Sequence, residues 1–219
     1  MIQLSNINKI FVNGDSKTNV LKNISLTITK GEYVCIRGDS GSGKSTLLNI
    51  LGCLDKQTSG KYILQGKDLS AASEDKLSII RSRYIGFIFQ RFQLLPSYSA
   101  LQNVELPLIY SGVKKNERVK RARKALISMG LANRTHHKPS ELSGGQQQRV
   151  AIARCIVNKP KIIIADEPTG SLDSSSSNDV MNIFDHLHQA GTTIILVTHD
   201  DTVSKRAKRV ILIEDGVLV

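Results

Sequence analysis

The nine residues "GDSGSGKST", Gly38 to Thr46, constrain this chain more than any other stretch. They meet the pattern G-x-x-x-x-G-K-[ST] at Gly38, Gly43, Lys44 and Ser45. "YVCIRG" leads into them as a short, nearly continuous apolar strand, and "STLLNILG" follows as a helix stopped by Gly52. Strand, glycine loop and helix, in that order, form the context in which this pattern holds phosphate. Gly41 and Gly43 let the backbone curl until its N–H groups converge on an anion. Lys44 adds a point charge, Ser45 offers a hydroxyl to Mg²⁺, and the helix start adds its dipole.

The rest of the chain fits an α/β fold around that unit. Leu21, Ile24, Leu26 and Ile28 alternate at close to period two and end at the Lys30-Gly31 turn, so the N-terminal part reads as antiparallel strands. "GKYILQGKDL" predicts a short strand with turns, and "YIGFIFQ" a strand running to Gln90. Ser99 to Val157 reads as mostly helical. Ser99 with Gln102 forms a capping box, Asn116 caps "ERVKRARKALISM" before Gly130, and Ser143 caps "GQQQRVAIARCIV". "KIIIAD" and "TTIILVTHD" are buried strands flanking the amphipathic helix "NDVMNIFDHLHQAG", and "RVILIEDGVLV" is a hairpin turning at Asp215-Gly216. Apolar strands alternating with helices predict a mainly parallel sheet covered on both faces.

Three further stretches carry chemistry. "IIIADE" ends an apolar strand in two carboxylates, Asp166 to bind Mg²⁺ and Glu167 to polarise a water as general base. "LSGGQQQR", Leu142 to Arg149, is a second glycine-rich loop running into a helix, again the local form that holds phosphate. His199 and Gln90 each stand at the end of an apolar strand. The five histidines and three cysteines show no zinc spacing. Cys35, Cys53 and Cys155 are scattered, as in free core thiols of a reducing compartment, and no signal peptide is legible at the start. Much of the net charge of +11 sits in "VKKNERVKRARKAL", which reads as a solvated helix face, with a membrane-facing role as the alternative. With 5% aromatics and no Trp there is no platform for stacking single-stranded bases.

Taken in order, "GDSGSGKST", Gln90, "LSGGQ", "IIIADE", "SLD" and "THD" resemble the motifs of an ABC-type ATPase over essentially the whole chain. "LNILGCLDKQTSG", "FIFQRFQLLP" and "NVELPL" resemble the branch that contains the macrolide-exporter (MacB-type) and lipoprotein-release (LolD-type) ATPases. The resemblance implies a P-loop NTPase with a RecA-like core, one domain over residues 1–219, and a helical subdomain inserted at about residues 91–158. It implies ATP and Mg²⁺ as cofactors. Gly38, Asp39, Ser40, Gly41, Ser42, Gly43, Lys44, Ser45 and Thr46 would bind the triphosphate. Phe11 would stack on adenine, keeping the ring of the family's usual Tyr without its hydroxyl. Gln90, Ser45 and Asp166 would serve Mg²⁺, and Glu167, Gln90 and His199 the hydrolysis. Ser143, Gly144, Gly145 and Gln146 would cover the nucleotide of a second copy in a head-to-tail dimer, with Asp173 at the interface. The implied partners are that second copy and an inner-membrane permease or fused transmembrane domain, on the cytoplasmic face of the membrane. An ABC-type ATPase acting on DNA or the ribosome is the rival reading; nucleic acid is not an expected partner.

Overall fold

Two long strands open the chain. The computed structural model describes all 219 residues, and in it β1 (Ile2–Asn13) and β2 (Ser16–Ile28) pair antiparallel with Ile2 opposite Ile28 and Leu4 opposite Leu26. The register slips between Leu4 and Ile7, where Asn6 takes a φ of 50°. This bulge keeps Ile2, Leu4 and Ile7 all buried, although strict alternation would turn Ile7 outward. β4 (Ser59–Leu64) pairs with the other edge of β1, and β5 (Lys67–Asp68) with β4, completing a four-stranded antiparallel sheet in the order β2-β1-β4-β5.

The second sheet has six strands in the order β10-β9-β3-β8-β7-β6. It comprises β3 (Tyr33–Arg37), β6 (Ile85–Ile88), β7 (Ile162–Asp166), β8 (Thr193–Val197), β9 (Arg209–Glu214) and β10 (Val217–Leu218). All neighbours run parallel except the β9–β10 hairpin. Its apolar runs are buried on both faces, as a covered parallel sheet requires. Val34, Ile36, Ile162, Ile164, Ile195 and Val197 join the core shared with the antiparallel sheet and α1 (Lys44–Leu51). Tyr33, Cys35, Ile163, Ala165, Ile194 and Leu196 face the opposite core, with α3 (Ala100–Tyr110), α4 (Lys115–Ser128), α5 (Gly144–Ile156) and α6 (Ser174–Gln189). Period two along each strand thus splits one apolar run between two cores. Glu105 of α3 and Arg118 of α4 pair at 2.9 Å, fixing those helices together. The three cysteines are free and buried, and burial pushes the Cys35 and Cys53 thiols up to about 11 and the Cys155 thiol to about 12.

Several local expectations change. "SEDKLSIIRSRY" forms α2 (Glu74–Tyr84), a helix the apolar pattern hides because only Leu77 and Ile80 of it are buried. β6 stops at Ile88, two residues short of Gln90. Asn116 does not cap α4: Lys114 holds the N-cap position with no side-chain bond, and Asn116 lies in the first turn. α6 starts four residues before Asn178, because Asp173 caps it by accepting from the Ser176 N–H at 2.9 Å. The capping boxes at Ser99 and Ser143 form as read. No helix is long and apolar enough to cross a membrane.

Candidate active site

Parallel strands deliver their C-terminal ends to one edge of the sheet, and ligands of open α/β sheets bind at that edge. Here β3 ends in the glycine loop, β7 in Asp166, β8 just before His199, and β6 just before Gln90. A cleft of about 570 Å³ gathers them. Gly38, Ser40, Gly41, Gly43, Lys44, Ser45 and Thr46 line it on one side. Gln90, Asp166, Glu167 and His199 line it on the other, with Val20 and Val197 as its apolar edge.

The loop is built to receive an anion. Gly41 and Gly43 have φ values of 84° and 104°, a region costly for any residue with a Cβ. Gly43 is also the N-cap of α1 and supplies no side-chain cap, so the helix's first N–H groups have no side chain upon them. The Lys44 ammonium lies over the loop, donating to the carbonyls of Gly38 at 2.8 Å and Asp39 at 2.5 Å. Asp39 and Ser42 do not line the cleft. Ser42 is buried, and its hydroxyl has no hydrogen-bond partner.

The acid pair divides by geometry. Asp166 closes β7, and burial and the neighbouring Glu167 raise its carboxyl above the usual range against the pull of Lys44. Glu167 takes a φ of 45°, a strained backbone for a residue with a side chain. Its N–H donates to the Val197 carbonyl at 2.8 Å, extending the β7–β8 ladder. Three donors at the end of β8 then hold its carboxylate. Thr198 Oγ1 donates to Oε2 at 2.9 Å, and the His199 backbone N–H to Oε1 at 3.0 Å. His199 Nδ1 lies 2.6 Å from Oε1, which places the proton on Nδ1. Oε2, with Thr198 alone upon it, keeps a lone pair for a water. Thr198 was not read from the sequence; its signal was its place beside His199 at the end of an apolar strand. Arg37, at the end of β3, also went unread. It pairs at 2.5 Å with Asp201 of α7 (Asp201–Ser204), the short helix that follows His199.

The second glycine loop stands apart from this cleft: none of residues 142–149 lines it. Ser143 is exposed and caps α5, accepting from the Gln146 N–H at 3.3 Å while Gln146 Oε1 accepts from the Ser143 N–H at 3.1 Å. Gly145 is packed on α6 so closely that an added Cβ would fall 2.6 Å from Ser176 Oγ. Asp173 is exposed, and its bonds from Ser176 hold its carboxyl below the usual range. Phe11 does not line the cleft either. It is half exposed on β1, with Lys9 Nζ 4.7 Å from its ring centre.

The glycine loop, the acid pair and His199 thus meet at one sheet edge while the "LSGGQ" helix stands apart, in the order of motifs that resembles an ABC-type ATPase. The chain belongs to the ABC transporter family, whose model matches residues 21–170, and it is an ABC ATPase. It is 55% identical to the ABC transporter ATP-binding protein YknY of Bacillus subtilis (strain 168), over all of this chain and 95% of that one. It is 52% identical to the macrolide export ATP-binding/permease protein MacB of Hyphomonas neptunium, again over the whole chain but over 34% of the relative. The chain thus spans about a third of that MacB protein. Among solved structures, the ATP-binding cassette MJ0796 in a dimeric post-hydrolysis state bound to ADP and Pi superposes with a TM-score of 0.92 at 45% identity, over 100% of this chain and 96% of that one.

Proposed function

We propose that this ATPase works as a head-to-tail pair of identical chains and drives a membrane permease of the MacB type from the cytoplasmic face of the membrane. One observation carries the pairing. "LSGGQ" opens a helix with an exposed, capped start, yet it lies outside the nucleotide cleft of its own chain. In a head-to-tail pair, Ser143, Gly144 and Gly145 of one chain cover the γ-phosphate held by the glycine loop of the other. The dimeric cassette MJ0796 supports this reading.

Within each site, Lys44 and the N–H groups of residues 40–46 bind the triphosphate, and Glu167 takes a proton from the attacking water. Thr198 and His199 fix the direction of the Glu167 carboxylate, and His199 contacts the γ-phosphate. Ser45, Gln90 and Asp166 share the cleft and offer oxygen donors, as Mg²⁺ prefers, and Glu167 beside Asp166 adds negative charge that a cation would offset. When bound with the nucleotide, Mg²⁺ supplies charge neutralisation to the β- and γ-phosphates. Pairing makes hydrolysis depend on association, so the rate per chain should rise steeply with protein concentration at saturating Mg-ATP. A rate per chain that stays constant over a hundredfold dilution would remove the pairing.

In this reading the permease docks on an apolar groove. The groove, of about 690 Å³, runs between α2–β6 and α3. Ile79, Phe87, Phe89, Leu106, Pro107 and Tyr110 form its apolar lining, with Ile79 65% and Tyr110 87% exposed. Gln93, Leu106 and Pro107 line it, so it adjoins the segment that leaves the cleft at Gln90, and in the MacB relative an ATP-binding and a permease part share one chain. An apolar cytoplasmic segment of the permease fits it. Tyr110→Asp should leave ATP hydrolysis by the isolated chain unchanged and abolish its co-purification with a co-expressed permease; retained co-purification sinks this docking site.

A further inference from the structure

The stretch from Gln90 to Ser99 has no regular backbone pairing, yet side chains from two helices and a turn hold its polar groups. Ser171 donates to the Gln90 carbonyl at 3.3 Å. Asn103, fully buried in α3, accepts from the Leu95 N–H at 2.8 Å and donates to the carbonyls of Leu95, Tyr98 and Ser99 at 3.2, 3.1 and 3.1 Å. Between them, Arg154 of α5 donates from Nη2 to the Phe92 carbonyl at 2.9 Å and from Nη1 to the Gln93 carbonyl at 2.6 Å.

Arg154 is an unusual choice for holding a loop. It is partly buried, burial lowers its pKa, and it makes no salt bridge. A desolvated cation whose hydrogen-bond partners are two carbonyls is costly unless both bonds are kept. A fork with parallel donors suits two successive carbonyls, which a lysine ammonium does not reproduce. The same stretch touches α5 a second time, where the Phe92 ring lies against Gly144 at the start of the helix. Residues 92 and 93 are therefore fastened to α5 through Arg154, and the Phe92 ring comes near the helix start at Gly144.

We propose that Arg154 is a positioning residue that makes the Gln90 segment and α5 one moving body. The proposal rests on the head-to-tail pairing for its consequence. In that pair, Gln90 of one chain serves the chain's own nucleotide, while Ser143 at the head of α5 serves the other. Contact at one nucleotide is then felt at the second through Arg154, which makes ATP use cooperative.

A double-mutant cycle tests the link. Arg154→Met should lower kcat roughly ten- to a hundredfold, as a small misplacement of a cleft residue does, with KM changed less than about threefold. Arg154→Lys, which reaches one carbonyl at a time, should recover part of the loss and serves as the readout if the Met variant does not fold. The double variant Gln90→Ala with Arg154→Met should be no slower than the slower single variant, and the Hill coefficient for ATP should fall toward one in either Arg154 variant. Multiplied losses in the double variant, or an unchanged Hill coefficient with reduced kcat, overturn the proposal. The Hill coefficient decides only where light scattering shows the ATP-driven dimer; where it shows none, the pairing is removed and the kcat cycle, which acts within one chain, alone decides the link between Arg154 and Gln90.

Discussion

Glu167→Gln should bind ATP as the parent does and turn it over roughly 10²–10⁴-fold more slowly, the usual worth of a general base. The geometry makes this a clean change. The carboxylate accepts from Thr198 at Oε2 and from two groups of His199 at Oε1. A glutamine can keep its carbonyl toward His199 and set its amide against Thr198, whose hydroxyl turns to accept instead. Shape and hydrogen bonding survive, and only the capacity to take a proton is lost. The phosphate side of the cleft contains no Glu167 bond, since Lys44 rests on loop carbonyls, so nucleotide affinity has no reason to change. Single-turnover hydrolysis and fluorescent-nucleotide titration, on the same preparation, separate the two effects. Turnover within about threefold of the parent would reject Glu167 as the base and return the choice to a water network around His199.

Which parts of this site were legible in the sequence follows from how far each feature depends on distant residues. The glycine loop carries its whole geometry in nine consecutive residues, with strand and helix adjoining, so it reads without help. The buried strands read because a covered parallel sheet demands unbroken apolar runs, and "YVCI", "IIIA" and "TIILV" have no other plausible use. The clasp of Thr198 and His199 on Glu167 is different. It exists because β7 and β8 pair with Asp166 opposite Val197, so the residue after each strand meets the residue after the other across 31 positions of chain. No local pattern states that register. α2 was missed for the opposite reason: with two buried residues in eleven, its polar sequence carries a cap at Ser73 but almost no stripe. Asn116 was misread because a good capping residue lay within reach of the true start; the chain leaves the turn at Lys114 and helical geometry begins before Asn116 can act. Arg154 carries no sequence signal beyond its place in the helix "GQQQRVAIARCIV". Its two carbonyl partners lie some 60 residues upstream, and only folding brings them together.

Ser143→Arg should leave nucleotide binding by the single chain intact and abolish ATP-driven pairing. Two separable effects follow from the change. Ser143 caps α5, and losing the cap to alanine or arginine costs about 1 kcal/mol of helix stability. Ser143→Ala isolates that cost. Arginine adds a long side chain at a position that in a pair faces the partner's triphosphate. It would hold the two surfaces apart by more than the reach of the serine hydroxyl and the Gly144 and Gly145 N–H groups, which complete a phosphate shell only at hydrogen-bond distance. The nucleotide cleft of the same chain contains nothing from residues 142–149, so the monomer's affinity for ATP should not move. The measurement is light scattering with saturating ATP in the Glu167→Gln background, where hydrolysis does not dissolve the complex. The parent should double its mass, the alanine variant should do so at higher concentration, and the arginine variant should stay single. An arginine variant that still pairs with ATP places "LSGGQ" away from the interface, and the second glycine loop then needs a function within its own chain.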